Sequence, residues 1–208
     1  MMMTAPNLKR AFVSLLPALL LPALLLGFPA AGNAAKKKAP EPTNEEIIWN
    51  YLAERIGNPY GVAGLMGNLY AESVFRSDNL QDSYEKKLKM TDAEYTEAVD
   101  SGTYDNFVRD AAGYGLAQWT FWSRKEALLN FAREKGASIG DLTMQLDYLW
   151  YELSVKYPPL AKGLQNAASV REASDLILLN YERPANQSEE AQIRRAGFGE
   201  RIYQKFMN

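Results

Sequence analysis

From Thr43 onward, apolar positions recur at helical spacing, punctuated by capping residues, glycines and prolines. Thr43-Asn44-Glu45-Glu46 is a capping box; it opens a helix with Ile47, Ile48, Tyr51 and Leu52 on one face and Gly57 at its end. Asn58 and Pro59 then predict an N-cap and a first helical residue, because proline lacks an N–H that would be unpaired there. Val62, Leu65, Met66 and Leu69 place one apolar face on the helix that follows. At about 100° per residue, Glu72 falls back onto the Leu65 line, so a lone carboxylate points with the leucines. Gly61, Gly64 and Gly67 each cost about 1 kcal/mol against alanine in a helix. Spaced three apart, they leave a side-chain-free ridge on which another element can pack closely.

Arg76 to Asp110 is polar and punctuated; a second capping box, Thr91 to Glu94, starts a short helix, and Ser101-Gly102 marks a turn. The glycine- and aromatic-rich stretch Gly113 to Thr120 predicts a short strand or a tight loop pair. The second half is helical. Arg124 to Lys135 carries Leu128, Leu129 and Phe131 before Gly136, and Asp141 to Lys156 carries Leu142, Leu146, Leu149, Trp150 and Leu153 on a clean stripe. Pro158-Pro159 breaks that helix. Ser169 to Glu172 is a third capping box, leading through Ala173, Leu176, Ile177 and Asn180 to Tyr181-Glu182-Arg183, stopped by Pro184. A last helix runs from about Ser188 to Phe206. The fold class is mostly α, with at most one small β-hairpin and no internal repeat.

The N-terminus follows a different pattern. Lys9-Arg10 precede an uncharged, leucine-rich run from Ala11 to Phe28, interrupted by Pro17 and Pro22, and Gly32 and Ala34 fit a small-x-small cleavage site. Residues 1–34 are expected to be a secretory signal peptide, with an uncleaved membrane anchor as the alternative. Residues 35–42 form an Ala/Lys/Pro linker, and 43–208 a single catalytic domain. Removing 34 of 208 residues leaves 174, enough for one domain with a real core. Of the 23 Lys and Arg, 21 then remain against 25 Asp and Glu. An acidic balance with no long basic run argues against nucleic-acid binding. A secreted or cell-envelope monomer, free of the membrane after signal cleavage, is expected.

Two absences narrow the chemistry. With no cysteine there is no disulfide and no thiol nucleophile; with no histidine there is no Ser-His-Asp or Cys-His catalysis and no His-ligated zinc. No metal or cofactor is expected. Carboxylate chemistry on glycosidic bonds fits this alphabet best. Burial and a helix C-terminus both favour the protonated form of a carboxyl placed like that of Glu72, which is what a general acid needs. The alternative is a helix-end glutamate turned to solvent or paired with Arg76.

Three motifs in order carry a family resemblance. Ala-Gly-Leu-Met-Gly-Asn-Leu-Tyr-Ala-Glu-Ser at 63–73, Gly-Tyr-Gly-Leu-Ala-Gln-Trp-Thr at 113–120 and Tyr-Glu-Arg-Pro at 181–184 resemble the phage tail lysozyme family, from about Thr43 to Phe206. More distantly, the chain is similar to soluble lytic transglycosylases and goose-type lysozymes, through Glu72-Ser73, Gly115-Leu116-Ala117-Gln118 and Tyr181. It departs from them at Ala117, where those relatives have methionine, and at Glu182-Arg183-Pro184, where they have Asn-x-Gly.

The resemblance implies a lysozyme-like fold that cleaves the β-1,4 linkage between N-acetylmuramic acid and N-acetylglucosamine in peptidoglycan glycan strands, with Glu72 as general acid. It places Ser73, Tyr114, Gln118, Trp119 and Tyr181 at the substrate. Tyr114 and Trp119 either stack on sugar rings or fill the core. Tyr181 either bonds near Glu72 or the substrate N-acetyl group, or is a core tyrosine with a satisfied hydroxyl. Asp78, Asp82, Glu85, Asp105 and Asp110 are the candidates for a second carboxylate, Asp110 lying nearest the glycine-rich segment. Glu182 is expected to partner Arg183 or Arg124 and not to act in catalysis. A lytic transglycosylase and a non-catalytic glycan-binding domain of the same fold are the competing functions.

Overall fold

A computed structural model describes residues 40–208. The expected signal peptide and most of the linker lie outside the described residues. Among those described, the chain is mostly α-helical, and the only β pairings are two isolated bridges, Leu80 with Tyr114 and Tyr114 with Trp119. The second of these closes the expected tight hairpin, with Trp119 N–H donating to Tyr114 O at 3.0 Å.

The helices are α1 (Asn44–Ile56), α2 (Pro59–Ser73), α3 (Asp82–Leu88), α4 (Asp92–Asp100), α5 (Trp122–Lys135), α6 (Leu142–Tyr151), α7 (Pro158–Asn166), α8 (Val170–Ile177) and α9 (Glu189–Met207). Local chemistry sets their ends. Thr43 and Glu46 exchange both capping-box bonds at α1, as do Thr91 and Glu94 at α4, and Gly57 and Gly136 close α1 and α5 in the left-handed conformation. At α8 only half of the expected box forms. Ser169 caps Glu172 N–H, but the Glu172 carboxylate accepts from Ala168 N–H, one residue further back. The polar α3 carries no buried residue, so no apolar period announced it.

Helix α2 is the centre of the domain. The sequence gives it one apolar face, yet every residue from Gly61 to Leu69 is buried, because α1, α7, α8 and α9 all pack on it. A helix enclosed on all sides is a core helix. The glycine ridge explains how three neighbours come so near. A methyl at Gly61 would lie 2.1 Å from Leu164 O on α7, at Gly64 2.5 Å from Ala173 Cβ on α8, and at Gly67 2.5 Å from Arg195 O on α9. Gly199 of α9 answers Gly67, since its own methyl would lie 2.7 Å from Ala63 O.

Two helices do not end as their periodicity predicts. The α6 stripe continues into a π-helical turn, Glu152–Lys156, and α8 into another, Leu178–Glu182. In each, the closing N–H reaches five residues back: Tyr157 to Glu152 O at 2.8 Å, and Arg183 to Leu178 O at 2.9 Å. Each turn stops just before a proline, Pro158 or Pro184, which has no N–H to continue the ladder. A π turn holds one residue more than an α turn and so re-aims the side chains on it.

Gly64→Ala is expected to destabilise the domain. The obstacle is α8 backbone, which has little freedom to retreat, and overpacking of this kind costs about 1–3 kcal/mol. The gain in helix propensity, about 1 kcal/mol, offsets only part of that. Urea unfolding of the variant should show a lower midpoint at an unchanged slope.

Candidate active site

Glu72 sits in the last turn of α2, with its side chain 18% exposed. The helix ends in two consecutive non-glycine residues at positive φ, Val74 (54°) and Phe75 (64°). For a β-branched valine this is a strained conformation, of a kind that tertiary contacts must enforce. The contacts are on either side of it. The Ser73 hydroxyl donates to Leu69 O and Leu116 O at 3.2 and 3.0 Å, and Asn44 Nδ2 donates to Phe75 O at 2.9 Å. Ser73 thus fastens the α2 terminus to the 113–120 segment.

Arg195, on α9, is the partner of Glu72. Its Nη2 lies 2.5 Å from Glu72 Oε1, and its Nη1 donates to Asn68 Oδ1 at 3.3 Å. Asn68 is fully buried and donates to Gly64 O, Ser174 O and the Ser174 hydroxyl. A polar line therefore runs from α8 through α2 to α9 and ends on the Glu72 carboxylate. Arg76, the partner considered from sequence, instead pairs with Asp92 at 2.8 Å and bonds Asn79.

Glu182, on the π turn after α8, carries a carboxyl of changed acidity. It is pushed up to about 8, first by burial and then by the negative charge of Glu72, with Glu152 adding to the effect and Arg124 and Arg195 opposing it. Glu182 Oε1 and Arg195 Nε are both closed to solvent with no hydrogen-bond partner. This corrects the expectation that Glu182 pairs with Arg183 or Arg124. Arg183 is exposed, and Arg124 donates its Nε and Nη2 to Glu152 at 2.8 and 2.9 Å.

Glu152 went unnoticed in the sequence. It is buried and accepts from Trp119 Nε1, the Tyr181 hydroxyl and the Tyr148 hydroxyl as well as from Arg124. Trp119 and Tyr181 are thus core residues with satisfied polar atoms, the second of the alternatives given for each. Burial and the Glu152 charge raise the Tyr181 phenol well above its usual range. Tyr114 is also fully buried, its hydroxyl 2.6 Å from Thr96 Oγ1, and offers no face to a ligand. Gln118 is partly exposed, with φ 44°, and its amide nitrogen donates to Asn79 O and Gly115 O.

Asp110, the expected candidate for a second carboxylate, is buried. Its Oδ1 accepts from the buried Lys125 ammonium at 2.5 Å and from Ala112 N–H, and its Oδ2 from the Tyr95 and Tyr104 hydroxyls. An ionised carboxylate has about four acceptor sites, and these four donors use them. Asp78, Asp82 and Asp105 are exposed on the surface, and Glu85 is half-buried on the otherwise polar α3.

A family model described as phage tail lysozyme matches residues 43–206, the span that holds all of these groups. The chain belongs to the phage tail lysozyme family. Morphogenesis protein 1 of Bacillus phage B103 is similar to it, at 24% identity over 153 residues, which cover 70% of this chain and 35% of that protein. This family member therefore spans about a third of the length of that curated relative.

Among the described residues, no helix is long and apolar enough to cross a membrane, and no group of acidic side chains is arranged to hold a metal ion. A signal could have exposed Arg195 in the sequence. It lies on the α9 stripe of Ala191, Ala196, Gly199 and Ile202, where a charge needs a buried partner.

Two outcomes follow from this geometry. Arg195→Met should destabilise the fold by about 3 kcal/mol, the low end for breaking a buried pair because Glu72 keeps some contact with water; chemical denaturation measures it. The folded protein also binds the Glu182 proton more tightly than the unfolded chain does. That contribution to stability is complete below about pH 4.5 and is lost as pH rises through about 8. The melting temperature of Glu182→Gln relative to wild type should therefore climb between those limits and level off above them.

Proposed function

We propose that this domain is a peptidoglycan glycosidase that hydrolyses the β-1,4 bond between N-acetylmuramic acid and N-acetylglucosamine, with Glu72 as the general acid. The observation that carries the reading is Glu72 itself. It is a partly exposed carboxyl at the closed end of a buried helix, fixed by Arg195 and electrostatically linked to a second carboxyl, in a chain of the phage tail lysozyme family.

The chemistry needs a proton on the departing oxygen as the bond to C1 breaks and an oxocarbenium-like centre develops. Glu72 is the carboxyl among the expected candidates that is both anchored and open to solvent. Gln118, on the segment to which Ser73 fastens α2, is a partly exposed polar group suited to receive N-acetyl or hydroxyl groups. Ser73 and Tyr181 act behind this surface, holding the backbone and Glu152. The N-terminal pattern of residues 1–34 supports export to the envelope, where the glycan strands are.

Glu72→Gln should lower turnover of purified sacculi by about 10²–10⁴-fold while leaving the far-UV spectrum close to wild type, with a lowered melting temperature because Arg195 loses its ionic partner. Mass spectrometry of the released muropeptides reads the reaction type in the same assay. Reducing-end products are expected. Anhydro-muramyl products would make the enzyme a transglycosylase, and binding of sacculi without release of fragments would make the domain a glycan-binding module.

A further inference from the structure

Tyr114 and Trp119, the rings expected to stack on sugars, are buried, but the segment that carries them runs on into two rings that are not. Phe121 is 62% exposed and Trp122 44%, with ring centroids 6.0 Å apart. Helix chemistry does not account for Phe121. It stands at the N-cap of α5, where a side-chain oxygen would satisfy an open N–H, and it makes no capping bond. The two rings and Thr120 line a groove of about 490 Å³ together with Val108, Arg109 and Ala111 from the loop after α4. Arg109 is exposed and lies over the Trp122 ring, its Cζ 5.4 Å from the centroid. Among the described residues no carboxylate pairs with it.

The groove is joined to the candidate active site by direct contacts. Ser73, next to Glu72, donates to Leu116 O at 3.0 Å, and the Thr120 hydroxyl donates to Gln118 O at 2.9 Å. Phe121 follows Leu116 by five residues, a span of about 18 Å at full extension, and the bridge between Tyr114 and Trp119 folds this segment back. We propose that Phe121, Trp122 and Arg109 form a subsite for the peptidoglycan strand outside the catalytic centre. The two rings stack on the C–H faces of sugar rings, and the Arg109 guanidinium binds a carboxylate of the stem peptides. This rests on the glycosidase reading above and adds to it the residues that hold the strand away from the bond being cleaved.

The chemistry of the groove selects this occupant. A sugar ring has an apolar face rimmed by hydroxyls, which suits aromatic rings set beside the Thr120 hydroxyl. Phenylalanine and tryptophan lose little conformational freedom on binding, because each has only two side-chain torsions to fix. The chain as a whole is acidic, yet this groove is lined by a cation and no acid. That favours an anionic ligand. A two-fold contact between copies of the chain would set one Arg109 against another, and a single arginine is too few for an anionic lipid surface, which is bound by basic clusters.

The test measures binding apart from turnover. The probes are soluble peptidoglycan strands with their stem peptides and the same strands stripped of them by an amidase. Calorimetric titration uses Glu72→Gln, so that the strands persist, and adds further substitutions in that background. Phe121→Ala with Trp122→Ala should weaken both kinds of strand by about tenfold or more. Trp122→Tyr, which keeps an aromatic face, should retain binding. Arg109→Gln should weaken the stem-bearing strands by about two- to fivefold and leave the stripped ones unchanged, a difference that high salt removes. Because these side chains are exposed, far-UV spectra and melting temperatures should match the Glu72→Gln background.

Strands that are not bound at all, or are bound as tightly after both rings are truncated, overturn the subsite. Equal weakening of stem-bearing and stripped strands by Arg109→Gln overturns the carboxylate contact. A dimer in sedimentation that the ring truncations dissociate, or binding to anionic phospholipid vesicles in place of strands, assigns the face to another occupant and also overturns the subsite. A wild type that cleaves no sacculi while the rings still bind strands overturns the glycosidase reading and not the subsite.

Discussion

The close approach of three helices to the glycine ridge of α2 is the constraint on which the rest of the structure depends. Helix axes usually stand 8–10 Å apart because side chains intervene. At Gly61, Gly64 and Gly67 there are none, and the backbones of α7, α8 and α9 come to within what would be contact with a methyl group. The crossing at Gly67 and Gly199 decides where Arg195 stands. Held there, its guanidinium reaches Asn68 and Glu72 on α2 at once. Each glycine weakens the helix by about 1 kcal/mol, which packing on all sides of α2 offsets.

The domain holds two buried acidic groups, Asp110 and Glu152, and a half-buried one, Glu182, in three different ways. Asp110 is neutralised by Lys125 and fully bonded, and Glu152 is held by Arg124 and three aromatic donors; both fix the packing of loops and helices around them. Buried ion pairs of this sort add little net stability, but removing one partner is costly, so they hold their surroundings in one arrangement. Glu182 lacks such a set of donors. The contrast sets the two fully bonded carboxylates apart from Glu182, which is half-buried and has only its Oε1 closed to solvent.

Strain and irregular helix geometry gather at the same place. Val74 and Phe75 turn the chain sharply after Glu72, and the two π turns bring Glu152, Tyr181 and Glu182 inward. These departures from regular geometry are unfavourable locally and persist because surrounding contacts determine them. Ser73, Asn44 and the prolines after each π turn supply those contacts.

Helix number and limits were largely legible in the sequence, because caps, glycines and prolines act within a few residues of themselves. Thr43, Asn58, Thr91, Gly57 and Gly136 needed no tertiary partner to make their meaning plain. The glycine ridge and the placement of Glu72 at the end of α2 could be read for the same reason. The tertiary structure alone decided the partners of Glu72. Arg195 lies more than a hundred residues away, and its pairing follows from how α9 crosses α2. Glu152 and Glu182 were hidden for a related reason. The donors of Glu152, which are Trp119, Arg124 and Tyr181 besides the nearby Tyr148, come mostly from distant parts of the chain. Asp110 was the opposite case, close in sequence to the glycine-rich segment yet buried and paired with a lysine on α5. Local signals specify elements; which charges meet depends on long-range packing, and that pairing ties Asp110 and Glu152 into the scaffold.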